Sequence, residues 1–174
     1  MDATNKDVTG FTTPAFTLKE ERKKEAKKSS RYFRKTEVPA DGVEAMFVGA
    51  GEKVFMHTFF GKGRPSKICI GKKNGCEECA KGEPVSVKYR YNIVVRSTTE
   101  AQILELGTKN EMPRFNRALE SGAINPTTNY VRLFFNRTND EGDLLEGISF
   151  KSGGAITKDD MQRIKAVKLQ DLSK

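Results

Sequence analysis

All three cysteines and the single histidine of the 174-residue chain fall within 23 residues: His57, then Cys69, Cys76 and Cys79. Eleven, six and two residues separate them, so Cys76 and Cys79 form a CxxC pair preceded by the turn dipeptide Asn74-Gly75. A thiolate pair on such a turn converges on one ion, and structural zinc takes four Cys or His ligands in a tetrahedron. The set supplies four ligands and leaves none over, which points to a structural zinc site. Four protein ligands also leave no open position for catalysis. Simpler readings exist for the separate residues. His57 fits an ordinary strand histidine, Cys69 in Lys67-Ile68-Cys69-Ile70 a small core residue, and the CxxC a redox pair. The redox pair lacks its usual setting at a helix start in a βαβ unit.

The second chemistry is electrostatic. The net charge is +8, unevenly spread. Residues 1–35 carry a net +5, residues 53–98 a net +7, residues 99–150 a net −3 and residues 151–174 a net +3. A local basic excess interleaved with aromatic rings is what binding to single-stranded nucleic acid requires: cations for phosphates, flat rings for bases. Three segments combine both: Arg31-Tyr32-Phe33-Arg34-Lys35, Lys88-Tyr89-Arg90-Tyr91 with Arg96 further on, and Tyr130 to Arg137. The loop Lys62-Gly63-Arg64-Pro65-Ser66-Lys67 adds cations. The expected contacts are Arg31, Tyr32, Arg34, Lys62, Arg64, Lys67, Lys88, Arg90, Arg96, Tyr130, Arg132 and Phe134. For any one charge run, a solvated surface is the plainer reading. Tyr89 and Tyr91 fit the core better than a platform, which makes Arg90, opposite them, the better contact.

The elements that must position these groups are mostly short strands. Residues 1–16 read as a flexible arm, followed by a charged helix over Leu18 to Lys28 capped by Thr17 and Glu20. Strands are expected at Val43 to Val48, ending at Gly49-Ala50-Gly51, at Lys53 to Phe60, and at Lys67 to Ile70. Gly71 to Gly82 is an excursion without hydrophobic period. Val85 to Arg96 alternates apolar odd positions with Lys88, Arg90, Asn92 and Arg96, which predicts one buried and one basic face. Ala101 to Leu106 is a further strand. A helix follows from Thr108 to Ser121, with Met112, Phe115 and Leu119 on one side and Gly122 as its stop. A closing hairpin pairs Asn129 to Arg137 with Leu144 to Phe150 across a turn at Asn139–Gly142. On Asn129 to Arg137 the odd residues Val131, Leu133 and Phe135 are expected inside, with Tyr130, Arg132 and Phe134 as a stacking face. Thr157 caps a last helix over Lys158 to Leu172.

This pattern is mainly β: an oligonucleotide-binding (OB)-type barrel with a small zinc-binding subdomain, a basic N-terminal arm and a C-terminal helix. The expected organisation is a basic arm over 1–35, a single-strand-binding core over 36–150 that includes the zinc loop 57–82, and the helical segment 151–174. No apolar run is long enough for a membrane helix, and MDATNKDVTG carries no secretory h-region. With one histidine and scattered carboxylates, an enzyme such as a metal-dependent nuclease is not expected. A zinc-containing transcription or RNA-binding factor is the alternative.

The order His57…Cys69…Cys76-x-x-Cys79 resembles that of the T-even-type phage single-stranded DNA-binding (helix-destabilising) proteins. Tyr89-Arg90-Tyr91-Asn92-Ile93-Val94-Val95 resembles the strand after that family's zinc loop, and Gly107-Thr108-Lys109 its helix connection. Asn129 to Asn136, the turn and the last strand resemble its closing hairpin, so the likeness spans Val43 to Phe150. The resemblance implies an OB-type barrel that coats single-stranded DNA with little sequence preference in phage replication, recombination and repair, in a bacterial host cytoplasm. It also implies cooperative self-association along DNA through the basic arm, with replication proteins as further partners. The family's acidic tail has no counterpart in the net-basic residues 151–174, where self-association is the expected role of the helix.

Overall fold

The computed structural model describes residues 31–59, 63–136 and 147–174. Its strands are β1 (Val43–His57), β2 (Lys67–Ile68), β3 (Val85–Val95), β4 (Ala101–Gly107), β5 (Asn129–Asn136) and β6 (Gly147–Ala155). The helices are α1 (Glu77–Ala80), α2 (Glu111–Glu120) and α3 (Lys158–Lys165). The protein is mainly β. All strand pairs are antiparallel in one open six-stranded sheet of order β4-β3-β1-β5-β6, with β2 on β1. Among the described residues no helix is long and apolar enough to cross a membrane. The expected arm helix, the hairpin turn at Asn139–Gly142 and Lys62 lie outside the described residues.

β1 corrects the expectation of two strands. Its pairing with β3 runs from Ala45 to His57, with a register shift between Val48 and Glu52. The extra residues of this bulge kink the strand without ending it. Gly49 takes φ +75, and a Cβ on Gly51 would run into the Tyr91 ring. The kink lets the start of β1 pair with β5 through Val43, Glu44 and Ala45, while its end pairs with β2 through Met56 and His57.

The core lies on one face of the sheet. Ala45, Ile93, Val95, Leu104, Leu106, Val131, Leu133, Ile148 and Phe150 pack with Met112 and Phe115 of α2. Phe115 stacks on Phe47 with ring centroids 5.2 Å apart and meets Tyr91 edge-on at 5.4 Å. Leu119, expected on the same side, is exposed.

The opposite face is also covered, which corrects the reading of β3 as half basic. From Arg90 to Val95 only Tyr91 is not fully buried, because the chain after α3 lies across this face. That helix has the expected Thr157 cap, in a capping box with Asp160, but it ends at Lys165 rather than Leu172. Beyond it, Asn92 Nδ2 donates to the Gln170 carbonyl (3.0 Å), and the Gln170 amide donates to Asn92 Oδ1 (2.8 Å). Leu172 is buried. Residues 31–33 extend the other side of β4: Phe33 N donates to the Ile103 carbonyl and Ile103 N to the Arg31 carbonyl. The return strand likewise differs from expectation, since β6 runs on to Ala155.

β4 and β6 are the ends of the sheet order, and α2 packs on both. The buried Glu111 carboxylate of α2 accepts the Gly107 amide of β4 (2.7 Å), the Ile148 amide of β6 (3.0 Å) and Lys35 Nζ (2.6 and 2.7 Å). Gly147 makes room for it, since a Cβ there would lie 2.9 Å from Glu111 Cγ. Removing this carboxylate orphans two amides and a cation. Glu111→Ala should therefore cost about 3 kcal/mol of stability in urea unfolding; a change under about 1 kcal/mol would show that solvent replaces the carboxylate.

Candidate metal centre and basic face

His57, Cys69, Cys76 and Cys79 converge at the far end of the β1–β3 ribbon, their ligand atoms all within 4.8 Å of one another. His57 is the last residue of β1, and Cys69 follows β2, tied by its amide to the Phe55 carbonyl (2.7 Å). Cys76 is the N-cap of α1, and Cys79 lies one turn on. The turn before it uses Gly75 in the left-handed region, φ +79, which favours glycine.

His57 is buried, and its Nδ1 lies 3.1 Å from the Pro84 carbonyl. A proton there is donated to that carbonyl, so Nε2 is left as the ligand atom. Nε2 lies 3.4 Å from Cys76 Sγ and 3.5 Å from Cys79 Sγ, and Cys69 Sγ lies 3.3 Å from Cys79 Sγ. Tetrahedral zinc with the usual bond lengths separates its ligand atoms by roughly 3.5–3.8 Å. Three of the separations lie within about 0.5 Å of those values and all lie within 4.8 Å, so small shifts would let the four atoms hold one ion.

The thiols of the CxxC pair are shifted in opposite directions by their neighbours. The Cys79 N–H, and then the His57 ring, hold the Cys76 thiol down at about 6 against the opposing effect of burial. The Cys69 sulfur and burial push Cys79 up to about 12. One thiolate is stabilised by the protein and further ones repel it. A divalent ion removes that conflict.

Within the CxxC segment, Glu78 is buried and draws in Lys67 (3.1 Å), Lys81 (3.6 Å) and Arg64 (3.8 Å). Its carboxyl is lowered, chiefly by the Lys67 hydrogen bond. Arg64 also lies 4.0 Å over the Phe59 ring, which stacks on His57.

The residues expected to contact nucleic acid do not form one surface. Arg90 is buried and corrects the expectation that it faces solvent. Its Nε donates to Glu105 (2.9 Å), and its Nη1 to the carbonyls of Leu172 (2.9 Å) and Lys174 (3.0 Å). Tyr130 is likewise buried rather than presented for stacking. Arg96 covers its ring at 4.8 Å, and Arg163 donates to its hydroxyl (3.2 Å). Tyr32 is exposed, between the Arg31 and Arg90 guanidinium groups. Arg34 pairs with Glu37, and Arg64 and Lys67 pair with Glu78. Lys88 lines the cleft at Gly107 and Glu111, with Lys35 and Lys109.

Arg96, Arg132 and Phe134 do come together. Glu44, a residue the sequence reading passed over, accepts from Arg96 Nη1 (2.6 Å), Arg132 Nη2 (2.7 Å) and the Gly154 amide (3.0 Å). Both arginines remain exposed, and their remaining N–H donors have no hydrogen-bond partner among the described residues. Lys151 pairs across from Arg132 and lies 5.1 Å over the half-buried Phe134 ring. Pairing register is the only signal that could have found Glu44 and Lys151, and register is not written in the local sequence.

No protein-family model, curated protein or solved structure matches the chain.

Two outcomes follow. The zinc-loaded protein should carry one ion per chain, and Cys76→Ser should lose it with a fall in thermal midpoint; unchanged zinc content would remove Cys76 from the ligand set. Arg132 first, and then Arg96, hold Glu44 at about 2, below its ordinary 4.5. Its stabilising contribution is therefore complete above pH 4.5 and lost as the pH falls towards 2. Glu44→Gln should flatten the decline of stability across that window in acid titrations of the unfolding midpoint; an unaltered slope would show that Glu44 is not what links folding to pH there.

Proposed function

We propose that the protein is a non-catalytic single-stranded DNA-binding protein with a structural zinc, of the T-even-type phage helix-destabilising kind, that coats single strands in replication, recombination and repair. One observation carries this reading. Glu44 fixes Arg96 and Arg132 side by side on an exposed surface, next to Lys151 and the Phe134 ring. Paired guanidinium forks suit phosphate oxygens, and a ring beside them suits an unpaired base. The ordering of the arginines by a carboxylate lowers the entropy lost when a phosphate joins them.

Zinc is the ion this donor set favours, three thiols and an imidazole gathered within 4.8 Å of one another. It would tie β1, β2 and α1 into one unit and supply no catalysis. The finer fold reading is an OB-type barrel, partly open. It is supported by the kinked β1 shared between β3 and β5, and by α2, whose Glu111 bonds both sheet edges. On this reading the basic arm, residues 1–35, serves neighbour contacts along DNA.

Coating by phosphate capture has a salt signature: log affinity falls linearly with log salt, by about 0.7 per phosphate for single strands. Arg132→Ala should weaken binding to a labelled oligo(dT) several-fold and reduce the salt slope by about 1. Wild-type affinity and slope in that variant would remove this face as the binding surface.

A further inference from the structure

Phe55 is the most exposed aromatic side chain among the described residues, at 46%. It lies on the β1–β3 ribbon between the core and the metal centre. Phe55 pairs with Val87 and Lys53 with Tyr89, and His57 pairs with Val85. Antiparallel partners and their diagonal neighbours share a face, so Phe55, Val85, Val87, Tyr89 and Lys53 lie on one side of the ribbon. Val85 is also exposed, at 45%, and Tyr89 is half-buried with its inner side against the core. Lys53 Nζ stands 5.3 Å from the Phe55 ring centroid.

Among the described residues, no helix or further strand packs on this continuation of the core side of the sheet. β4 ends at Gly107 opposite Lys88, and the Phe115 ring of α2 reaches only as far as Phe47 and Tyr91. Scattered exposed apolar residues need no explanation, but a contiguous group does. Aliphatic residues alone would suit any apolar partner. Here the exposed ring and the tyrosine behind it are flanked by an ammonium group, within a segment, residues 53–98, of net charge +7.

We propose that this face is a stacking platform, with Phe55 as its principal ring, for an unpaired base of the bound strand, and that Lys53 meets the adjoining phosphate. The proposal rests on the single-strand-binding reading and extends it to the metal-centre end of the ribbon. A base offers a flat π-face to Phe55, and its backbone brings the negative charge that Lys53 and its neighbours complement.

The chain contains no tryptophan, so Phe55→Trp installs a single reporter at the ring itself. Saturating oligo(dT) should quench and shift that emission, and raising the salt should reverse the change as the strand leaves. Phe55→Ala should bind labelled oligo(dT) about tenfold more weakly, with zinc content and salt slope as in the wild type. Phe55→Tyr should restore the affinity. Unchanged Phe55→Trp emission while anisotropy reports binding, with unchanged affinity in Phe55→Ala, would overturn the platform and leave the single-strand reading standing. An emission change that tracks protein concentration without DNA would assign the face to a second copy of the chain. No binding by the wild type would remove both readings.

Discussion

The carboxylate of Glu111 is where the two ends of the sheet are joined. It accepts one amide from β4, one from β6 and the ammonium of Lys35, all while buried. A buried carboxylate without such partners would cost several kcal/mol, so its four short hydrogen bonds form together or the arrangement is lost. That requirement fixes α2 across the opening, holds residues near Lys35 against β4, and demands glycine at 147. The aromatic packing of Phe115 on Phe47 and Tyr91 follows from the same placement.

With the sheet so joined, β1 carries the functional geometry. Its beginning places Glu44 opposite Arg132, and its end places His57 in the candidate metal centre. The bulge at residues 49–51 lies between these two stretches and bends the strand there, while β3 pairs with both. On the proposed reading, carboxylates order the arginines and lysines at the surface, as Glu44 and Glu78 do, and the thiol and imidazole cluster is placed where it could hold a metal ion.

The candidate metal centre was legible in the sequence because structural zinc sites use Cys and His, and all four such residues of this chain lie in one short stretch. The Thr157 cap was legible because a capping box is local. What the sequence did not disclose was long-range. Alternation along β3 predicts one wet face, but the segment around Gln170 and Leu172 covers it, which takes Arg90 out of solvent. Tyr130 shares the parity of Arg132 and Phe134, yet Arg96 and Arg163 close over it. Glu44 looks like any strand carboxylate until register sets it between two arginines. The glycines at 49 and 51 read as a strand end because a bulge and a turn draw on the same residues.

The most direct test of the account is an anisotropy titration of the zinc-loaded wild-type protein. It would use a labelled oligo(dT) strand and a mixed-sequence duplex of equal length, at low and at moderate salt. Single-strand capture predicts much tighter binding to oligo(dT), weakened as salt rises. Equal or tighter binding to the duplex would contradict it and move the protein to the class of zinc-containing transcription factors.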